Sequence, residues 1–491
     1  MQQTIANATL PDAVKRPSFD RSQLKPKWVH LGFGAFHRAH QGLFMSDLAN
    51  QQHTDWGLCE ISLIGGEEQI KKLRAQEHCY TVVEKGAHET QVRISGSVCE
   101  SLHPALDGIE TILNKLANPE VAIVSMTITE KGYCADASGH LDQQNPSIAH
   151  DLATPEQPKS AIGYIVQALK MRKDAGVKPF TVLSCDNIQG NGEVVAQVVL
   201  DYAKVLDGEL ATWIEKNVTF PCTMVDRIVP AMTTDSYQQV TELLGGVTDP
   251  CSIVCEPFRQ WVVEDRFVAG RPEWEKVGAQ LVEDVVPFEE MKLRMLNGSH
   301  SFLAYLGYLG GYETIAQSVA NDDYRQAAKA LMLKEQVPTL SVQGVDLNAY
   351  ADSLLERFAN PNLHHRTWQI AMDGSQKLPQ RMLKSVQFHL AKGQDFSCLA
   401  LAIAGWMRYV SGVDEKDQPI EVADPMAAEL RAICDKAGLN VAVVSRLLGV
   451  EAIFPKELAA NKTFISAIEL AYQSVLELGA KGAVAQLVKS L

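Results

Sequence analysis

From Trp28 to about Pro287, short apolar runs alternate with amphipathic stretches, which is how the strands and crossover helices of a parallel sheet read. Residues 28–34, 56–63, 121–127 and 179–185 are the strand candidates. Between them, residues 158–173 place Ile162, Ile165, Val166 and Leu169 at helical spacing, and residues 193–205 form a second such stretch. An α/β doubly wound sheet buries both kinds of element together. After Pro287 the strand-like runs stop. Long helical patterns take over at 322–336, 348–358, 396–410 and 464–478, so the second part is expected to be all-α. The expected division is therefore 1–287 and 288–491. No internal repeat, low-complexity tract or flexible linker separates the halves, which predicts close packing and a substrate cleft between them.

Composition narrows the chemistry. A chain of 491 residues can hold two large domains, and 46% hydrophobic with 21% charged residues is ordinary for a folded globular protein. The formal net charge of -14 makes nucleic acid and anionic membranes poor partners, so an anionic substrate must be met by a few local cations. No secretory signal is legible, and the most apolar stretch, 396–410, is too short to span a bilayer and carries Arg408. The cytoplasm is the expected location. Ten cysteines scattered singly through apolar runs read as buried hydrophobes rather than a disulfide framework. Cys251 and Cys255 are wrongly spaced for a zinc knuckle, and His37 with His40 lacks a third ligand, so no metal site is expected.

The first strand candidate runs into Gly32-Phe33-Gly34-Ala35-Phe36-His37-Arg38, with a helical pattern behind it. Glycines in that setting let the pyrophosphate of a dinucleotide approach a helix N-terminus. His37 stands where the usual third glycine would be, so the pattern by itself also fits a plain strand-to-helix turn. An acid normally follows the second strand to hold the adenosine ribose and repel a 2′-phosphate. Glu67 and Glu68 follow Leu63-Ile64-Gly65-Gly66 with no arginine beside the strand, which favours NAD over NADP; the alternative is two surface glutamates opening a helix.

The segment Phe288-Glu289-Glu290-Met291-Lys292-Leu293-Arg294-Met295-Leu296-Asn297-Gly298-Ser299-His300 carries the candidate chemistry. On an ideal α-helix Lys292, Asn297 and His300 fall within an arc of roughly 140°, so one face can present a base, an amide donor and an imidazole. Lys292 and His300 would be about 12 Å apart along that axis, which demands the reach of the lysine stem or a break near Gly298. Oxidising an alcohol removes the hydroxyl proton while hydride leaves carbon. Without zinc a side chain must be the base, and lysine serves when burial lowers its pKa toward about 7–8. Asn297, and Asn187 just past the strand candidate 179–185, are neutral donors for the developing alkoxide. The alternative is a surface lysine with two helix-capping asparagines.

Five motifs in order carry a family likeness: Gly32 through His40, Thr127-Ile128-Thr129-Glu130-Lys131-Gly132-Tyr133, Ser184-Cys185-Asp186-Asn187, Met224-Val225-Asp226-Arg227-Ile228-Val229-Pro230, and Lys292 through His300. Together they resemble the polyol-specific long-chain dehydrogenase/reductases, from about Lys27 to the C-terminus. The resemblance implies a Rossmann-type dinucleotide-binding domain over 1–287 and a helical substrate-binding and catalytic domain over 288–491. It further implies NAD, no metal, a small sugar acid or polyol as substrate, and a monomer or small homo-oligomer. By the same likeness Lys292 is the general base, Asn187 and Asn297 form the oxyanion hole, and His300 orients the substrate. Asp226 and Lys377 bind substrate hydroxyls, Glu130 and Glu289 flank the proton path to solvent, and Gly32 through Arg38 with Val225 contact the cofactor. A nucleotide-binding regulator on this fold would have a damaged catalytic set; Lys292, Asn297, His300 and Asn187 are all present.

Within the family the likeness is nearer to members that interconvert D-fructuronate and D-mannonate than to the mannitol and arabinitol 2-dehydrogenases. Arg259, in Cys255-Glu256-Pro257-Phe258-Arg259-Gln260-Trp261, stands where the mannitol type has an apolar residue, and Gln369, eight residues before Lys377, where it has arginine. A uronate carries a carboxylate, whose usual bidentate partner is an arginine fork. Arg259 is the first candidate for that role and Arg366 the second; the alternative for Arg259 is a structural pair with Glu256 or Glu264.

Overall fold

The computed structural model describes residues 4–136, 138–363 and 365–491. The chain divides into two compact units, Met1–Val286 and Pro287–Leu491.

In the first unit five strands form one sheet: β1 (Lys25–Leu31), β2 (Trp56–Ile61), β3 (Val98–Leu102), β4 (Ile123–Met126) and β5 (Thr181–Ser184). Their order is 3-2-1-4-5 and every pairing is parallel, the doubly wound arrangement. β4 and β5 are buried along their whole length, as strands with helices on both faces must be, and their hydroxyl residues Ser125, Thr181 and Ser184 are buried with them. The strands stop a little short of the apolar runs because the chain turns while still apolar. β1 ends at Leu31, since Gly32 takes φ +109 and leaves the strand direction. The helix expected at 158–173 starts at Ala161, where Ser160 caps it by accepting from the Gly163 amide at 2.9 Å.

Two smaller sheets in this unit were not foreseen as sheets. One joins Val14–Lys15, Thr90–Ser95, Tyr80–Lys85 and Ile253–Cys255; the other joins Gln280–Val282, Gln260–Glu264 and Thr223–Asp226. The second sets Asp226 opposite Gln260 in an antiparallel pair.

The named elements of the second unit are all helical among the described residues. Ser397–Tyr409 is buried on every side, the signature of a core helix, and packs against Ser299–Leu309 and the long C-terminal helix Lys462–Ser490. The latter breaks at Gly479 (φ 69), just past the expected end at Leu478. The helix expected over 322–336 is Asp322–Ala330 followed by a wider π-helical turn, Leu331–Gln336. Two further π segments, Lys292–Gly298 and Pro379–Leu383, occur in this unit, and Lys292–Gly298 packs against both others. They meet at Gly298, where a Cβ would lie 3.0 Å from Gln336 Nε2 and 3.3 Å from the Arg381 carbonyl. No helix among the described residues is long and apolar enough to cross a membrane. None of the ten cysteines forms a disulfide.

Candidate active site

The sheet order reverses between β1 and β4, and ligands of such sheets gather beyond the carboxyl ends of the strands at that point. Gly32 sits there. Its amide donates to the Ile61 carbonyl at 2.8 Å, and a Cβ would fall 2.3 Å from the Thr127 carbonyl oxygen just past β4, so only glycine fits. Gly34 then precedes the short helix Ala35–Ala39. A cavity of about 320 Å³ opens beside this turn, lined by Gly32, Ser62, Leu63, Ile64, Thr127 and Lys131 among others. The backbone cradle and the cavity suit a dinucleotide.

Three side chains do not face that crevice as expected. His37 is fully buried, bonded through Nε2 to Glu60 at 2.8 Å, with His30 stacked on it at 3.4 Å. Arg38 turns inward to the carbonyls of Cys251 and Gly34, above the Phe33 ring, which is itself in the core. At this turn His37, Arg38 and Phe33 can serve a cofactor only through their backbone, whereas Ala35 and Phe36 stay partly open. Glu67 and Glu68 open the helix Glu67–Ala75, and both are held by Lys71, at 2.6 and 2.8 Å.

Past β5, Asn187 is exposed at the strand's carboxyl end. Its neighbour Asp186 is buried and accepts from the amides of Ile128 and Thr129, each at 3.0 Å, and from the Tyr133 hydroxyl at 2.7 Å. Thr129 is held at φ +61, and Glu130 follows it, exposed on the short helix Thr129–Gly132. Val225 and Asp226 are buried on their strand. Arg259 pairs with neither Glu256 nor Glu264. Its Nη2 bonds Asp47, which Arg93 also engages, and its guanidinium lies 4.3 Å over the Phe44 ring. An arginine already neutralised by an internal carboxylate is poorly placed to recognise a substrate carboxylate.

In the second unit Glu289, Lys292 and His300 are buried and Asn297 partly so. The π-helical Lys292–Gly298 replaces the ideal α-helix of the sequence argument. A π turn closes between residues i and i+5, so Lys292 and Asn297, roughly 140° apart on an α-helix, come close to one face. Gly298 itself keeps helical φ and ψ (-65 and -51), so the chain passes into Ser299–Leu309 without the break that the 12 Å span, about eight residues of rise, invited. Burial together with His365, Arg381, Arg357 and Lys377 holds the His300 imidazole well below its usual pKa, so it is neutral. It stacks on Phe358 at 4.9 Å, and its Nε2 is buried without a hydrogen-bond partner. Lys377 is half-buried and donates to the Met372 carbonyl at 2.6 Å; Arg366 is exposed before the helix Thr367–Ile370.

Residues 26–276 match the mannitol dehydrogenase Rossmann domain, and residues 284–476 the mannitol dehydrogenase C-terminal domain. The chain belongs to the mannitol dehydrogenase family. Among curated members it is 58% identical over 488 residues to D-mannonate oxidoreductase of Escherichia coli, covering 99% of this chain and 100% of that one. It is 37% identical to mannitol 2-dehydrogenase of Phaeosphaeria nodorum, over 96% of this chain and 83% of that one. Of solved structures, the ternary complex of Pseudomonas fluorescens mannitol 2-dehydrogenase with NAD and D-mannitol aligns over 98% of both chains with TM-score 0.83 and 37% identity. D-sorbitol dehydrogenase in substrate-free form aligns over 99% of this chain and 100% of that one with TM-score 0.92 and 34% identity.

For a member of the mannitol dehydrogenase family, the residues that sequence reasoning passed over are those around His300. Arg381, on the third π segment, donates through Nη1 to the Ser301 hydroxyl at 2.9 Å and the Asn297 carbonyl at 3.3 Å. His365 lies 5.4 Å from the His300 ring. The signal that could have found Arg381 is its place four residues after Lys377, one helical turn on.

Proposed function

We propose that this chain is an NAD-dependent oxidoreductase that interconverts D-fructuronate and D-mannonate, acting in the cytoplasm as a monomer or small homo-oligomer. The observation that carries the substrate is the full-length 58% identity to a D-mannonate oxidoreductase, against 37% to a mannitol 2-dehydrogenase. The turn from Gly32 to Ala35, with Val225 and the cavity beside Gly32, would hold the dinucleotide, and one of Glu67 and Glu68 its ribose; NAD supplies the hydride acceptor.

The chain's own residues handle the proton and the charge. Lys292, neutral when it acts, takes the proton of the substrate hydroxyl. Asn187 and Asn297 donate to the oxygen as negative charge grows there, which lowers the barrier only if they are already in place. His300, kept neutral by its surroundings, orients the same oxygen through the open Nε2. Asp226 and Lys377 hold remote hydroxyls. Glu130 and Glu289 pass the proton from Lys292 to water.

Steady-state NADH oxidation with D-fructuronate beside D-fructose tests the substrate. A kcat/KM at least 100-fold higher for D-fructuronate is expected. The competing reading, an uncharged polyol, draws on the likeness to mannitol 2-dehydrogenase, and equal or better use of D-fructose would establish it instead.

A further inference from the structure

Lys377 and Arg381 stand four residues apart on the continuous helical run of Gly374–Leu378 and Pro379–Leu383. Like charges at that spacing repel, and burial makes the repulsion dearer. Neither cation is answered by a carboxylate: among the described residues none lies within 4.0 Å of either head group. Lys377 has only the Met372 carbonyl. Arg381 uses Nη1 on Ser301 and Asn297, and its Nε and Nη2 have no partner among the described residues. Most other buried arginines are treated differently, although Arg38 also has only carbonyl partners, those of Gly34 and Cys251. Arg172 gives all three nitrogens to backbone carbonyls, Arg227 and Arg259 are paired with Glu84 and Asp47, and Arg294 with Glu290.

The open edge of Arg381 is also well shaped and well placed. Nε and Nη2 form the side of a guanidinium that grips both oxygens of a carboxylate at once. Both residues keep part of their surface accessible, so a ligand can reach them. Arg381 is anchored to the carbonyl of Asn297 and crowds the His300 ring electrostatically, which ties it to the segment carrying the base. Burial, and Arg381 beside it, push Lys377 down to about 8 against the pull of Asp373 and Asp424, as expected of positive charge awaiting a counter-ion.

We propose that the Nε–Nη2 edge of Arg381, with Lys377 beside it, receives the carboxylate of the sugar acid, and that Arg381 thereby sets the preference for a uronate over an uncharged ketose. This rests on the D-fructuronate reading above and replaces Arg259 as the carboxylate partner.

The test is the ratio of kcat/KM for D-fructuronate to that for D-fructose in the wild type, Arg381→Lys and Arg381→Gln, with thermal midpoint and NADH binding checked in each. The ratio is expected to fall at least 50-fold in Arg381→Gln, carried by KM for D-fructuronate, and less in Arg381→Lys, which keeps the charge. An unchanged ratio, even with both rates reduced, makes Arg381 a structural residue and overturns the proposal while leaving the substrate reading intact. A wild type that ignores D-fructuronate sinks both. Should neither variant fold, inhibition of D-fructose reduction in the unmodified protein decides: D-mannonate should inhibit at least 30-fold better than D-mannitol, and equal inhibition refutes the carboxylate site.

Discussion

Replacing Gly32 with alanine should break the cofactor turn in a way that ordinary glycine strain does not. Two costs add. The φ of +109 is one that L-residues rarely adopt, worth about 1–3 kcal/mol. The new Cβ would also lie 2.3 Å from the Thr127 carbonyl oxygen, so the ends of β1 and β4 must part by about 1 Å in a close-packed interior. Gly32 is pinned on both sides there, its amide on the Ile61 carbonyl and its own carbonyl accepting from the Thr127 hydroxyl at 3.1 Å. Loosening one such bond adds about 1 kcal/mol, for a total of about 2–4 kcal/mol, or a fall in Tm of about 10 °C for a unit of this size. The control is Gly176→Ala, whose φ of +65 is equally left-handed but whose Cβ would meet nothing within 4 Å; only about 1–2 kcal/mol is expected. Thermal unfolding and NADH fluorescence titration measure both. Gly32→Ala should also weaken NADH about 100-fold, the loss of two charge-assisted hydrogen bonds, while Gly176→Ala leaves it alone. Equal Tm shifts in the two variants, or NADH binding by Gly32→Ala at wild-type strength, would refute the close-approach argument.

Lys292→Ala should lower kcat by about 10²–10⁴-fold while NADH binding stays within a few-fold, because the base acts on substrate; retention of most activity would sink the mechanism. Glu335 is buried and caps Ser397–Tyr409, accepting from the amides of Cys398 at 2.7 Å and Leu399 at 2.8 Å. Burial raises its carboxyl to about 7, against the opposing pull of those two amides. The folded state therefore holds this proton more tightly than the unfolded chain, and its contribution to stability declines as pH rises from 4.5 to about 7. Denaturant melts across that window should show a flatter pH dependence in Glu335→Gln than in the wild type, by at most about 3 kcal/mol. Parallel pH profiles for the two proteins would mean the carboxyl is already ionised throughout.

The strands of the main sheet were legible because a parallel strand covered on both faces is mostly apolar, and the sequence shows four such runs, broken by few polar residues such as His30 and Glu60. Their ends were less so, since Gly32 and Leu63 continue an apolar run through a turn whose direction depends on neighbouring strands. The base, the amides and the imidazole were legible as residue types, but not their geometry. The π-helical turn that carries Lys292 and Asn297 packs at Gly298 against Gln336 and Arg381, 38 and 83 residues further on by their numbers. Distance in sequence hid Arg259's partner as well: Asp47 lies 212 residues away. An arginine that lacks a counter-ion is invisible to any reading of composition, because absence of a partner is a property of the folded chain alone.

The histidine in the place of the third glycine changes what that turn is mechanically. In the usual fingerprint a glycine lets helix and strand settle against each other because nothing stands between them. Here His37 reaches down to Glu60 on β2 and stands as a strut, with His30 as its side brace. The height of the helix above the sheet is then fixed by the length of an imidazole and a carboxylate rather than by the absence of a side chain. Anyone grafting this turn onto another sheet, or restoring the missing glycine, would have to treat positions 37 and 60 as one part: removing either end drops the floor beneath the cofactor.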